Sequence, residues 1–193
     1  MIDRQNIIQQ IRESSDIHNT MIVACVEDIE SAADMMIRAA NNGHKIIWCG
    51  NGGSAADAQH MAAELMGGLV SHHRQPISSV ALTTDTSFIT AWANDTDYDS
   101  IFSRQVEGLG KEGDVLVAIS TSGNSRNIIN AVITSKEKGI SVIVLTGKSG
   151  GQLKEMGDVT ISIPSDQTQR IQEGHLLAEH ILCEMVEKTF ISE

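Results

Sequence analysis

The chain has 193 residues, with 14 Lys and Arg against 25 Asp and Glu, a formal net charge of −11. Its 41% hydrophobic content supplies a packed core and excludes a disordered chain. Aromatic residues reach only 3%, so the stacking surface and basic groove that single-stranded nucleic acid needs are both scarce, and the arithmetic counts against nucleic acid as a partner.

Residues 1–42 hold neither Gly nor Pro, and apolar residues recur there at helical spacing: Ile7, Ile8 and Ile11, then Met21, Ile22, Cys25, Val26, Ile29, Ala33 and Met36. This predicts two helices, or one bent helix whose break the pattern does not locate, closed near Gly43 as a left-handed cap. The apolar face of this arm is wider than one small sheet can cover, which points to burial against sister subunits; a cover over the chain's own sheet is the alternative. From residue 44 the pattern changes to short apolar runs between helical stretches. Strands are predicted at 46–49, 79–82, 115–119, 142–145 and 159–163, the last stopped by Pro164. Helices are predicted at 54–66, 86–93, 101–109 and 125–138, with an Asn94-Asp95 turn after the second and a long terminal helix over 168–190. Strands without in/out alternation, separated by helices, imply a parallel sheet covered on both faces. The reading is one doubly wound α/β domain, a five-stranded parallel sheet in a flavodoxin-like three-layer sandwich. The helical arm occupies 1–42 and the core 44–193.

Cys25, Cys49 and Cys183 are odd in number and far apart, which suits a reducing compartment and provides no thiolate zinc site. The N-terminus lacks a basic region followed by an apolar stretch, and no window approaches 18 uninterrupted apolar residues, so no signal peptide and no membrane span are expected. A cytoplasmic protein with no membrane partner is the expectation.

In a doubly wound sheet, ligands sit at the carboxyl ends of the strands. Two of these ends are unusual. Gly50, Asn51, Gly52, Gly53 and Ser54 follow the first strand, and three glycines in four residues leave N–H groups free at a helix N-terminus, where an anion is favoured. Ser120, Thr121, Ser122, Gly123, Asn124 and Ser125 follow the third strand, with hydroxyls able to wrap a phosphate without a basic side chain. Each could also be a plain tight turn with a polar cap. Neither matches a nucleotide P-loop, and the first lacks the spacing of a dinucleotide fingerprint.

His60 and Glu64 lie four apart and share a helix face. Gln172 and His180 lie eight apart, an offset of roughly 80° on the terminal helix. If both faces look into one cleft, they supply a base, a proton donor and enough N/O ligands for zinc. Spacing alone leaves the choice open, because His18, His44, His72, His73 and His175 are alternative partners and Arg170 and Glu173 could be surface charge.

The run from Cys49 to His60 with Ala63-Glu64-Leu65, the segments 81–87, 93–95 and 102–107, the serine turn, Leu145-Thr146-Gly147-Lys148, and Arg170-Ile171-Gln172-Glu173 together resemble the SIS-domain sugar-phosphate isomerases. More narrowly they resemble the phosphoheptose isomerases, over nearly the whole chain. The resemblance implies conversion of D-sedoheptulose 7-phosphate to D-glycero-D-manno-heptose 7-phosphate for the lipopolysaccharide core, by a cytoplasmic homotetramer with sites between subunits. It implies zinc, one per subunit, on His60, Glu64, Gln172 and His180, with Glu64 as general base and His180 as acid. Asn51, Gly52, Gly53, Asn94, Asp95, Ser120, Thr121, Ser122, Ser125 and Gln172 match the family's substrate contacts, with the serine turn on the phosphate. Neutral Gly68 stands where many members carry a basic residue, and Gln169 where some carry Asp. A related branch binds the bacterial replication initiator protein without catalysis, and others act on different phosphosugars. The first branch typically lacks the Glu64 and His180 found here.

Overall fold

The computed structural model describes residues 2–191. Helices α1 (Arg4–Ala24) and α2 (Val26–Asn41) lead into β1 (Ile46–Gly50), followed by α3 (Gly53–Gly67), β2 (Ser79–Ala81), α4 (Thr86–Asp95), α5 (Ile101–Leu109), β3 (Val115–Ile119), α6 (Arg126–Glu137), β4 (Ser141–Gly147), a short 3-10 helix, β5 (Val159–Ile163) and α7 (Thr168–Lys188). All strands are parallel, in the order β2-β1-β3-β4-β5. The order in which strands are added therefore reverses between β1 and β3, and Gly50 pairs with Ile119, so the turns that follow these two strands lie side by side.

Alternate residues of each strand feed opposite cores. Ile46, Trp48, Val115, Val117, Ile143 and Leu145 face α2, α3 and α7, while Ile47, Cys49, Leu116, Ala118, Val142 and Val144 face α5 and α6. This is why the strands read as unbroken apolar runs. The buried Trp48 indole donates to Ser79 Oγ at 3.0 Å, so a large side chain enters the core without an orphaned N–H.

The N-terminal helices break at Cys25, whose φ of −127° and ψ of −11° interrupt the helical backbone while its thiol turns toward the Ser162 carbonyl. Asp3 caps α1 by accepting from the amides of Gln5 and Asn6. Gly43 closes α2 with φ +77°. The two helices differ in burial. α2 sinks Ile29, Ala32, Ala33, Met36, Ala39 and Ala40 into the chain's own core, whereas α1 buries Met21 alone. Ile7, Ile11, Ile22, Val23 and Val26 stay exposed. One expectation needs correction: Asn94 and Asp95 form the last turn of α4 rather than a separate turn. No helix among the described residues is long and apolar enough to cross a membrane.

Candidate active site

The glycine turn is shaped by its lack of side chains. Gly52 has φ +58°, and a Cβ at Gly50 would lie 2.5 Å from the Ser54 carbonyl oxygen. A Cβ at Gly53 would meet the Gln172 amide nitrogen at 2.6 Å, so α7 lays Gln172 directly on this turn. Asn51 ties the turn to α6: its amide exchanges bonds of 2.9 and 2.8 Å with Asn127, and its Oδ1 also accepts from the Tyr98 hydroxyl at 3.0 Å. Ser54 is buried at the first turn of α3.

The serine turn is closed by its neighbours. Gly123 has φ +65°, and a Cβ there would sit 1.9 Å from the Gly150 carbonyl oxygen, so only glycine lets this turn approach the loop after β4. Ser120 and Ser125 hydroxyls lie 3.1 Å apart, and Ser125 begins α6 without a side-chain cap bond, leaving hydroxyls at a helix N-terminus. Thr121 and Ser122 line a cleft of about 170 Å³ together with Gly147, Lys148, Ser149, Ser165, Asp166, Thr168 and Ile171. The same lining includes Lys148, an exposed residue two positions from Thr146 on the buried end of β4, so a basic residue neighbours the turn. The sequence carried Lys148 only as part of a motif, since nothing in its spacing ties it to a turn more than twenty residues away.

The polar cluster is assembled by α3 and α7. His60 Nε2 lies 3.0 Å from Glu64 Oε1, and the His60 and His180 rings meet edge to face with centroids 5.0 Å apart. Glu64 is partly buried and His60 exposed. His180 Nδ1 donates to the Leu176 carbonyl at 2.8 Å, because a carbonyl only accepts, and this leaves Nε2 with its lone pair toward the cleft side. Two imidazoles, a carboxylate and an amide oxygen are donors that zinc accepts. Among the described residues no three His, Cys, Asp or Glu side chains are disposed to hold an ion, so seating one requires Glu64 and His60 to give up their mutual hydrogen bond.

Asn94 and Asp95 are not brought to this cluster. They are exposed, bonded to each other at 2.7 Å, on a helix with no buried residue. Gln169 is exposed and bonds Gln167. Gly68 has φ +113°, with the Ser71 carbonyl 2.4 Å from where a Cβ would be, so no side chain of any charge fits this turn. Of the alternative histidines, His175 is fully buried and donates from Nε2 to the Thr146 carbonyl at 3.1 Å. Arg170 is also buried, pairing with Glu173 and donating to Gln10 of α1, so it pins the arm to α7.

Two acidic residues escape sequence reasoning. Asp57, one turn before His60, has a carboxyl raised by burial against the opposing pull of His60 and His180. Glu179 is wholly buried, and burial followed by the Asp57 charge pushes its carboxyl up to about 8, so it holds its proton at neutral pH. Each looks like ordinary helix-surface charge until α3 and α7 are packed together.

Comparison with known proteins gives the class. Residues 9–147 match the SIS domain. The chain is 47% identical over 192 residues to the phosphoheptose isomerase of Sulfurimonas denitrificans, covering 98% of both chains. It superposes on the structure of phosphoheptose isomerase from Neisseria gonorrhoeae with a TM-score of 0.90 at 44% identity, over 96% of this chain and 98% of the other. For the phosphoheptose isomerase from Francisella tularensis the TM-score is 0.93 at 37% identity, over 97% and 100%. The chain belongs to the SIS-domain family and, on these identities, to its phosphoheptose isomerases.

Proposed function

We propose that the protein interconverts D-sedoheptulose 7-phosphate and D-glycero-D-manno-heptose 7-phosphate in the cytoplasm, feeding heptose to the lipopolysaccharide core. The reading is carried by one observation: Glu64, His60 and His180 converge from α3 and α7, the same two helices that meet at Gln172 on the glycine turn. The relatives' names agree with it.

Aldose–ketose isomerisation moves a proton between C1 and C2 through an enediolate. It needs a carboxylate beside the carbon acid and a donor beside the oxygen on which charge develops. The serine turn holds the phosphate through hydroxyls and the α6 N-terminus, with the Lys148 ammonium on the rim. The glycine turn (Gly52, Gly53, Asn51) and Gln172 accept the sugar hydroxyls at the other end. Glu64 takes the carbon proton and returns it at the neighbouring carbon. His180 is anchored through Nδ1, so Nε2 is the nitrogen left for the substrate oxygen, and it acts as the acid once it has taken up a proton. Zinc on His60, Glu64, Gln172 and His180 would supply a Lewis acid for the same oxygen. A carboxylate ligating metal is a weaker base, so Glu64 serves one role at a time.

We read the chain as a single domain that assembles as a homotetramer, with α1 and α4 offering exposed surface to neighbours and Asn94 and Asp95 reaching a site shared between subunits. The test is an assay of purified protein on both heptose phosphates. Glu64→Gln is expected to reduce kcat by on the order of 10³-fold while the circular dichroism spectrum is unchanged. A folded wild-type protein inactive on both sugars would sink the proposal.

A further inference from the structure

The segment that follows α3 returns along its own helix end and is pinned to α7 by one carboxylate. Glu187 accepts from the amides of Leu69, Val70 and Ser71 at 3.0, 2.7 and 3.3 Å and from Arg74 Nε at 2.8 Å. Both side chains of this pair are 1% exposed. Arg74 then reaches back with Nη2 to the backbone carbonyl of Glu64 at 2.9 Å. Ile77 N donates to the Leu65 carbonyl at 3.1 Å, an α3 carbonyl at the helix end, while the Glu64 carbonyl that Arg74 meets also accepts from the Gly68 amide at 2.9 Å.

A buried ion pair is weak evidence of stabilisation, because the lost hydration offsets the attraction and apolar residues of like size often serve as well. What this pair supplies is geometry. Glu187 lies seven residues after His180, which puts the two on one face of α7 about 10 Å apart along the axis. The connection from Glu187 through Arg74 to the Glu64 carbonyl therefore joins the same two helices that carry the cluster, meeting α7 two turns beyond His180 and α3 at Glu64 itself.

We infer that Arg74 and Glu187 are positioning residues that fix the distance between Glu64 on α3 and His180 on α7, an inference that rests on the reading of Glu64 as the base. They touch no substrate and act through the Glu64 backbone. Loss of the connection lets the C-terminal turn of α3 relax, and a small displacement of a reacting group costs rate more than binding.

Arg74→Lys keeps a cation opposite Glu187 but removes the arm that reaches Glu64. Assayed on the heptose phosphates well below the melting temperature, it is expected to lower kcat by roughly tenfold or more with KM within about twofold. In a Glu64→Asp background, where the carboxylate is already displaced, the same change is expected to cost less than about twofold, since residues acting as one unit are not additive. Equal losses in both backgrounds, an unchanged kcat, or a loss confined to KM would each overturn the inference. Glu64→Asp with wild-type kcat would instead remove the base assignment, and the positioning role with it. Should Arg74→Lys not fold, Glu187→Gln enters the same cycle with the same expectations.

Discussion

His175 has none of its surface exposed and bonds only the Thr146 carbonyl, with Nδ1 facing no partner among the described residues. Burial pulls its pKa down to about 4, against a small upward pull from that carbonyl. The unfolded chain therefore takes up a proton below 6.5 that the folded chain refuses until about 4. Its contribution is complete above pH 6.5 and is lost as pH falls toward 4, by up to about 3 kcal/mol. Melting temperatures of wild type and His175→Gln between pH 7 and 4.5 check this: the acid-side fall is expected to be shallower in the variant. Parallel curves would show that other groups set the acid limit. Glu187 adds to the same limb. Burial raises its pKa, but the Val70 amide, Arg74 and the amides of Ser71 and Leu69 outweigh this and hold it below the usual carboxylate range. Stability from Glu187 is likewise present above its unfolded pKa and lost in acid.

At the scale of elements, two strand ends and two helices divide the work. The turns after β1 and β3 are adjacent because those strands pair, while α7 lays Gln172 on the first of them and meets α3 again two to three helical turns further on, where His60, Glu64 and His180 come together. Lys148 reaches the rim from the loop after β4. Its ammonium is exposed, so its effect on a phosphate dianion is screened and modest. Lys148→Ala is expected to raise KM by roughly threefold to tenfold with kcat unchanged, and the difference is expected to shrink as salt rises. A KM insensitive to the change would place the ammonium away from the phosphate. The same element logic explains Gly68: a turn at φ +113° against Ser71 leaves no space for a side chain, so any cation that meets the sugar there comes from elsewhere.

For the molecule as a whole, the α1–α2 junction carries three exposed apolar residues close together in the chain. Ile22, Val23 and Val26 are exposed there, and Val26 lines a shallow groove of about 360 Å³ with Ile29, Glu30, Ile181 and Met185. Val23 is 92% exposed, so a charge there disturbs no intramolecular packing. Val23→Asp is expected to leave the melting of secondary structure nearly unchanged at low concentration but to shift sedimentation from tetramer to smaller species, with activity falling in step. A tetramer that survives this change would place the interface on another face. The charge of −11 sets none of this, since net charge bears on solubility and association rather than on a local site.

The amino-acid sequence by itself determined the strands, the helices after residue 44 apart from the end of α4, the parallel sheet and the positions of the glycine and serine turns. Each of those rests on local signals: apolar runs of five residues, glycine where the chain must turn left-handed, hydroxyls at helix starts. It also set His60 and Glu64 on one face, because four residues along a helix fix that. The helix break at Cys25, the helical state of Asn94 and Asp95, the contact of His60 with His180 rather than with any of the five other histidines that spacing left open, and the surroundings of Asp57, Lys148, Arg74, Glu179 and Glu187 were decided only by tertiary packing. Their partners lie on other elements, as Glu187 lies 113 residues from Arg74, and no spacing within one segment encodes a distance across two helices.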